Sequence, residues 1–261
     1  MRTIISGKDG EYLARAVTLL QQASCPLALT GAGISVNSDI ADFRSPGGVW
    51  TRFSPDEYAT LEVFRQNPQK AWRLYREMGR GLIGKKPNKA HRTLARLERA
   101  NLIKAVITQN VDNLHQVAGS SRVFEIHGDH QHLQCLQCGD IVEVEQQHYQ
   151  ADTVPHCPHC NFPYKPNVVL FGEDVRHLNT ITNIIHQCDL LLVIGTSARV
   201  YPAAALPETV KQRGGKIFEF NLEQTLGSDS RGAGRSITDF FFKGDLATTL
   251  PTFGEAALNQ R

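Results

Sequence analysis

Four short apolar runs that close in Thr, Gly or Asn constrain this chain most. They are Pro26-Leu27-Ala28-Leu29-Thr30, Lys104-Ala105-Val106-Ile107-Thr108, Leu190-Leu191-Leu192-Val193-Ile194 and Lys216-Ile217-Phe218-Glu219-Phe220-Asn221. Helical patterns lie between them. Residues 9–23 place Leu13, Val17 and Leu20 at helical spacing; residues 56–83 stop near Gly84 and Pro87; residues 88–100 begin at Asn88, a good N-cap. Unbroken apolar strands alternating with helices predict an α/β fold, a doubly wound parallel sheet covered on both faces. Ligands in such folds bind beyond the carboxyl ends of the strands. The tail from residue 247 onward shows no readable pattern.

One stretch breaks this rhythm. Residues 129–166 hold four of the six cysteines, spaced as Cys135-x2-Cys138, eighteen residues, and Cys157-x2-Cys160. That spacing suits a tetrahedral zinc ion, and four protein ligands leave no position for water, so the metal is expected to be structural. His156 and His159 flank Cys157 and are alternative ligands. Cys25 and Cys188, in apolar surroundings, are expected to be buried structural residues. The expected division is a sheet domain in three parts (1–46, 91–128 and 167–261), a helical insertion at 47–90 and a zinc ribbon at 129–166.

Bulk properties exclude several classes. Of 261 residues, 41% are apolar and 21% charged, as in an ordinary globular protein. No apolar run reaches the roughly 18 residues that a membrane span needs. The opening residues show no secretory signal, and with the paired thiols this leads us to expect a reducing, cytoplasmic location. A net charge of +2 does not argue for nucleic acid. Within the zinc segment Lys165 is the only Lys or Arg, against Asp140, Glu143, Glu145 and Asp152, so no nucleic-acid partner is expected. The oligomeric state is not legible.

Gly31-Ala32-Gly33-Ile34-Ser35 follows the first run. Glycines let backbone approach an anion, and a helix start favours negative charge. Alone the loop is ambiguous, because it lacks the G-x-G-x-x-G spacing and many such turns bind nothing. Other polar strings come next: Asp42-Phe43-Arg44 follows the loop, Thr108-Gln109-Asn110-Val111-Asp112-Asn113-Leu114-His115 follows the second run, and Phe124-Glu125-Ile126-His127-Gly128 comes shortly after. With the cysteine module, Val168-Val169-Leu170-Phe171-Gly172-Glu173, Gly195-Thr196-Ser197 and Phe220-Asn221-Leu222-Glu223, this ordered set resembles the sirtuin family over about residues 25–250.

The resemblance implies a Rossmann-like sheet domain, a smaller domain made of the zinc ribbon and the helical insertion, and NAD bound between them. The activity implied is NAD-dependent removal of acyl groups from protein lysines, giving nicotinamide and O-acyl-ADP-ribose. His127 would be the general base, its imidazole suited to proton transfer near neutral pH. Gly31, Ala32, Gly33, Ile34, Ser35, Ile40, Asp42, Phe43 and Arg44 would cradle the pyrophosphate and nicotinamide ribose. Ala32, Ile40, Asn110 and Asp112 would line the nicotinamide pocket, Phe43 would shield the reacting ribose carbon, Gln109 would contact the ribose, and Val111 would also meet the cofactor. Gly195, Thr196, Ser197, Asn221, Leu222, Glu223, Asp245 and Leu246 would hold the adenosine half. Val168, Val169, Phe171 and Gly172 would pair with the acyl-lysine peptide as an added strand. Tyr75 and Met78 would meet the acyl group, and Cys135, Cys138, Cys157 and Cys160 would hold zinc.

Simpler roles compete at several positions. Arg44 can serve a structural ion pair, Asp112 can cap a helix, and Trp72 reads best as plain core. His91, His130, His132 and His148 read as surface or hydrogen-bonded core histidines. Two positions depart from the common family string: Asp39 stands where Gly is usual and Ala41 where Pro is frequent. If position 39 requires positive φ, Asp carries a modest steric cost and adds a negative charge near the phosphate site. Met78 occupies the place of an arginine found in members that prefer succinyl groups, so acetyl or longer aliphatic groups are expected instead. Rival functions are ADP-ribosyl transfer or NAD hydrolysis on the same fold, a zinc-ribbon binding module regulated by NAD, and an ordinary NAD dehydrogenase. The last lacks the G-x-G-x-x-G fingerprint and its acidic partner.

Overall fold

The computed structural model describes residues 2–5, 9–227 and 236–259. These residues form ten strands in two sheets. Seven of them make one wholly parallel sheet: β1 (Arg2–Ile5), β2 (Pro26–Thr30), β3 (Val106–Thr108), β4 (Val123–Glu125), β8 (Leu190–Ile194), β9 (Lys216–Asn221) and β10 (Phe240–Lys243). Their order is β1-β10-β9-β8-β2-β3-β4. The antiparallel sheet has β5 (Gly128–Cys135) between β6 (Ile141–Glu143) and β7 (Tyr164–Val168).

All residues of β2 and β8 are buried, as their apolar runs require. Their two faces feed separate cores. On one face Ala28, Leu192, Phe218 and Phe242 pack with α1 (Gly10–Gln22), α5 (Lys89–Arg99) and α10 (Leu246–Asn259). On the other, Leu27, Leu29, Leu191 and Val193 pack with α8 (Leu178–Gln187) and α9 (Leu206–Gln212). The sheet is therefore Rossmann-like and doubly wound. After β2 the order turns one way to β3 and β4 and the other way to β8 and β9. The crevice between β2 and β8 is thus the topological switch point.

The structure adds three features to that reading. The helical pattern over 56–83 is made of three pieces, α2 (Pro55–Tyr58), α3 (Leu61–Gln66) and α4 (Pro68–Leu82). The chain restarts at Thr60, whose Oγ1 accepts from Val63 N, and at Asn67, whose Oδ1 accepts from Lys70 N just before Pro68. Each restart has its own cap. The tail is α10, hidden from pattern reading by Pro251 and Gly254. A Cβ on Gly254 would lie 2.3 Å from Thr93 Cγ2, so the glycine permits close packing on α5. The sheet also gains β1, β4 and β10, whose runs are too short or too aromatic to declare themselves. The capping box at Asn88 and His91 matches the expected start of α5.

The helical insertion and the zinc module share one core. Trp72, Tyr75 and Phe64 of the insertion pack with Leu133, Tyr149, Cys157 and Tyr164 of the module. Trp72 is fully buried, as its core assignment requires, and its Nε1 donates to Tyr164 O at 2.7 Å. Arg76 and Arg80 donate to the carbonyls of Ala151, Asp152 and Tyr149 at the end of α7 (Gln146–Gln150). The remaining helix, α6 (Leu114–Val117), lies beside the switch point.

Candidate functional site

A cleft of about 720 Å³ opens at the switch point, between the parallel sheet and the small domain. Its floor is an interlock of two loops. Gly33 N donates to Gly195 O at 2.8 Å, and a Cβ on Gly33 would meet the Gly195 Cα and O at that same distance. Gly195 itself has φ +58°. The glycines therefore serve loop-to-loop contact as well as approach to an anion. The chain then forms a 3-10 turn, Ala32–Ser38, ending at Asp39 with φ 56° and ψ 34°. Position 39 thus needs the left-handed conformation, but Asp39 is exposed and does not border the cleft.

The cleft wall contains Gly31, Ala32, Gly33, Asp42, Phe43 and Arg44 from the first loop, and Gln109, Asn110, Val111 and His127 from the next two strand ends. Ile34, Ser35, Ile40 and Asp112 stand outside the wall and support it. Ile34 is fully buried in the core, and Ile40 N donates to Ser35 O. Ser35 Oγ donates to Asp112 Oδ2 at 2.6 Å and accepts from Asn110 Nδ2 at 3.1 Å. Asp112 also accepts from Leu114 N, the first residue of α6, at 2.9 Å, although the N-cap position itself is Asn113. Buried polar contacts thus orient the Asn110 amide.

His127 is mostly buried. Its Nδ1 lies 3.1 Å from Gln109 O. A carbonyl only accepts, so Nδ1 carries the proton and Nε2 holds the lone pair. Nε2 is buried with no partner among the described residues. Burial lowers the His127 pKa from its ordinary value, with the Gln109 carbonyl opposing in part. The imidazole is therefore neutral at neutral pH.

The segment from Asp42 to Trp50 folds back on itself. Asp42 accepts from the amides of Arg44 and Ser45, and Trp50 N donates to Phe43 O. Phe43 packs on Trp50 with ring centroids 4.9 Å apart. Trp50 lines the cleft, which no sequence signal revealed. Arg44 forms no ion pair among the described residues; its Nη1 approaches Ser197 Oγ at 3.4 Å. At the far end stand Gly195, Thr196, Ser197, Asn221, Leu222, Glu223, Asp245 and Leu246. Asn221 Nδ2 and Thr225 Oγ1 both donate to Thr196 O, and Gln109 Nε2 donates to Thr196 Oγ1.

The opposite wall brings together Tyr75 and Met78 of the insertion with Val168, Val169, Phe171, Gly172 and Glu173, which follow the zinc module in the chain. Val169 N donates to His127 O at 2.8 Å, so this segment is tied to the histidine strand. Phe171 bridges to the insertion through Ala59 O and Leu61 N. Fully buried Lys165 pairs with Glu173 Oε2 at 3.1 Å and donates to Val168 O. The Tyr75 hydroxyl is buried and has no hydrogen-bond partner among the described residues.

The four cysteine sulfurs lie within 4.8 Å of one another, with Cys135–Cys160 at 3.4 Å and Cys138–Cys157 at 3.5 Å. Tetrahedral zinc with bonds of about 2.3 Å sets its sulfurs about 3.8 Å apart, so these residues fit one zinc ion. Neither flanking histidine competes. His156 Nδ1 is 2.9 Å from Val154 O, and His159 faces Asp140 at 3.7 Å. The other histidines keep structural roles: His130 meets Tyr149 Oη, His132 pairs with Asp129, and His148 accepts from Glu145 N.

Comparison with known proteins agrees with this arrangement. The family model described as "Sir2 family" matches residues 31–202. An "NAD-dependent protein deacetylase" of Caldivirga maquilingensis is 42% identical over 223 residues, covering 83% of this chain and 86% of its own. An "NAD-dependent protein deacylase" of Pyrococcus furiosus is 38% identical over 249 residues, covering 93% of this chain and 97% of its own. A solved structure described as "Sir2-p53 peptide-NAD+" superposes with a TM-score of 0.80 at 34% identity, covering 97% and 98% of the two chains. With its switch-point cleft, tautomer-locked histidine and four-cysteine cluster, this chain belongs to the Sir2 family.

Proposed function

We propose that this protein removes acyl groups from protein lysines, consuming NAD as co-substrate. One observation carries the reading. Neutral His127, whose buried Nε2 has no partner among the described residues, lines a cleft that has glycine loops at one end and an apolar wall at the other. The glycine floor and Ser197 suit a pyrophosphate, and the Asn110 amide, held by Ser35, suits a carboxamide. Phe43 and Trp50 shield the centre from water. His127 Nε2 then takes a proton from a ribose hydroxyl of the co-substrate, and Nδ1 keeps its own proton on Gln109 O. Burial depresses its pKa and so favours the neutral form that a base needs.

The peptide adds beside residues 168–172. Val168 O, Val169 N and both backbone groups of Phe171 are already bonded inside the fold. Among the described residues the Val169 carbonyl and the Gly172 amide have no backbone partner, and we assign them to an incoming strand. The acyl end favours acetyl or longer aliphatic groups. Met78 offers no charge, Arg76 is committed to the Ala151 and Asp152 carbonyls, and Lys165 is neutralised by Glu173. The thiolate zinc site suits a reducing, cytoplasmic compartment.

The test is incubation of the zinc-loaded protein with NAD and acetyl-, butyryl-, longer-acyl- and succinyl-lysine peptides, read by mass spectrometry. We expect O-acyl-ADP-ribose from the aliphatic peptides, a loss of about 100-fold or more in His127→Ala, and a gain in desuccinylation in Met78→Arg. Consumption of NAD with no peptide deacylated would move the function to ADP-ribosyl transfer or NAD hydrolysis.

A further inference from the structure

The backbone around His127 is fixed on both flanks. The carbonyl of Ile126 accepts from Arg176 N at 3.0 Å, and that of His127 from Val169 N at 2.8 Å. The next residue, Gly128, has φ +78°, and a Cβ there would lie 2.0 Å from Asn167 O. The position of Asn167 therefore decides the path by which the chain leaves His127.

The Asn167 side chain is held in turn. It is buried and stands outside the cleft wall. Its Nδ2 donates to Asp129 Oδ2 at 2.6 Å, and its Oδ1 accepts from Arg176 Nη2. The second oxygen of buried Asp129 accepts from Gln131 N at 2.9 Å and His132 N at 3.0 Å, and pairs with His132 Nδ1 at 2.7 Å. An amide can donate to a carboxylate at one end and accept from a guanidinium at the other. A carboxylate at position 167 would suit Arg176 but oppose Asp129. This chain of contacts ties the turn after His127 to the residue preceding Val168 and Val169, which both line the cleft.

We infer that Asn167 is a positioning residue for the reaction, resting on the reading of His127 as the base. It sets the register between the start of β5 and the end of β7, and with it the placement of the imidazole against the peptide-binding segment. The chemical step depends on that placement; the NAD floor, built on β2 and β8, does not.

Steady-state kinetics of the full zinc-loaded chain with acetyl-peptide and NAD test this, using Asn167→Asp and the exchange Asn167→Asp with Asp129→Asn. The single variant should lower kcat about 10-fold or more, since small misplacements of a catalytic group are costly, while KM for NAD stays within about twofold. The exchange places the carboxylate beside Arg176 and the amide beside His132. It should restore kcat to within about threefold of wild type. A single variant with kcat within about twofold of wild type overturns the proposal. So does an exchange variant that fails to recover, whether or not the single variant folds. Wild-type protein that transfers no acyl group removes the underlying reading instead, and with it the proposal.

Discussion

In the parallel sheet, β2 and β8 are buried along their whole length, and helices cover both faces. In the antiparallel sheet, β6 has three residues and leaves Ile141 51% exposed. The first region is held by apolar area and a continuous ladder. The second has too little of either, and relies on a cysteine cluster and an aromatic interlock with the helical insertion. The contact is tight: a Cβ on Gly79 would lie 2.4 Å from the Tyr149 ring. The reacting groups sit where the two regions meet. The half built on the parallel sheet supplies the floor assigned above to the co-substrate, and the half that carries the cysteine cluster supplies the wall assigned to the acyl group and peptide.

The largest effect should come from removing zinc. Structural zinc contributes on the order of 10 kcal/mol to such modules. Chelation, or Cys135→Ala, should open residues 129–166 to protease and change the near-UV signal of Trp72, while the far-UV signal of the parallel sheet persists. Simultaneous collapse of both regions would show that the sheet is not independent.

Acid should test the two regions next. Burial depresses His91, beside the sheet, and His130, in the small domain, each to about 4. Unfolded histidine titrates near 6.5, so the unfolded chain binds more protons between those values. The stability from keeping them neutral is whole above pH 6.5 and is lost as pH falls toward 4. It amounts to at most about 3 kcal/mol per histidine. Melting temperature should fall steeply between pH 7 and 5, and less steeply in His130→Gln; a flat profile contradicts the account.

A smaller, local effect is expected at the loop interlock. Gly33→Ala drives a methyl into Gly195 and should cost about 1–3 kcal/mol, with NAD affinity falling more than peptide affinity. Equal losses for both ligands would mean that the interlock supports the whole cleft. The smallest effect belongs to Asp39→Gly. It relieves a left-handed residue and should add about 0.5–1 kcal/mol, read by chemical denaturation. Because Asp39 does not border the cleft, NAD affinity should change less than about twofold.

The sequence by itself determined what depends on local pattern. Apolar strand runs fixed the parallel sheet, because a ladder buried on both faces permits few polar residues. The cysteine spacing named a four-thiolate site, because zinc demands that chemistry. The ordered strings placed His127, Gln109, Asn110 and Val111 at strand ends, and those residues do line one cleft. Other features depended on distant parts of the chain and were decided only by the tertiary structure. Pairing with Phe171 and two caps divided the insertion into three helices. Burial against Thr93 made a helix of a tail with an internal proline. Ser35 and Asp112 became supports behind the wall because their polar atoms found each other there. The tautomer of His127 was set by a carbonyl eighteen residues away. Periodicity and spacing record what neighbours along the chain impose; hydrogen-bond partners and close packing belong to residues that only folding brings together.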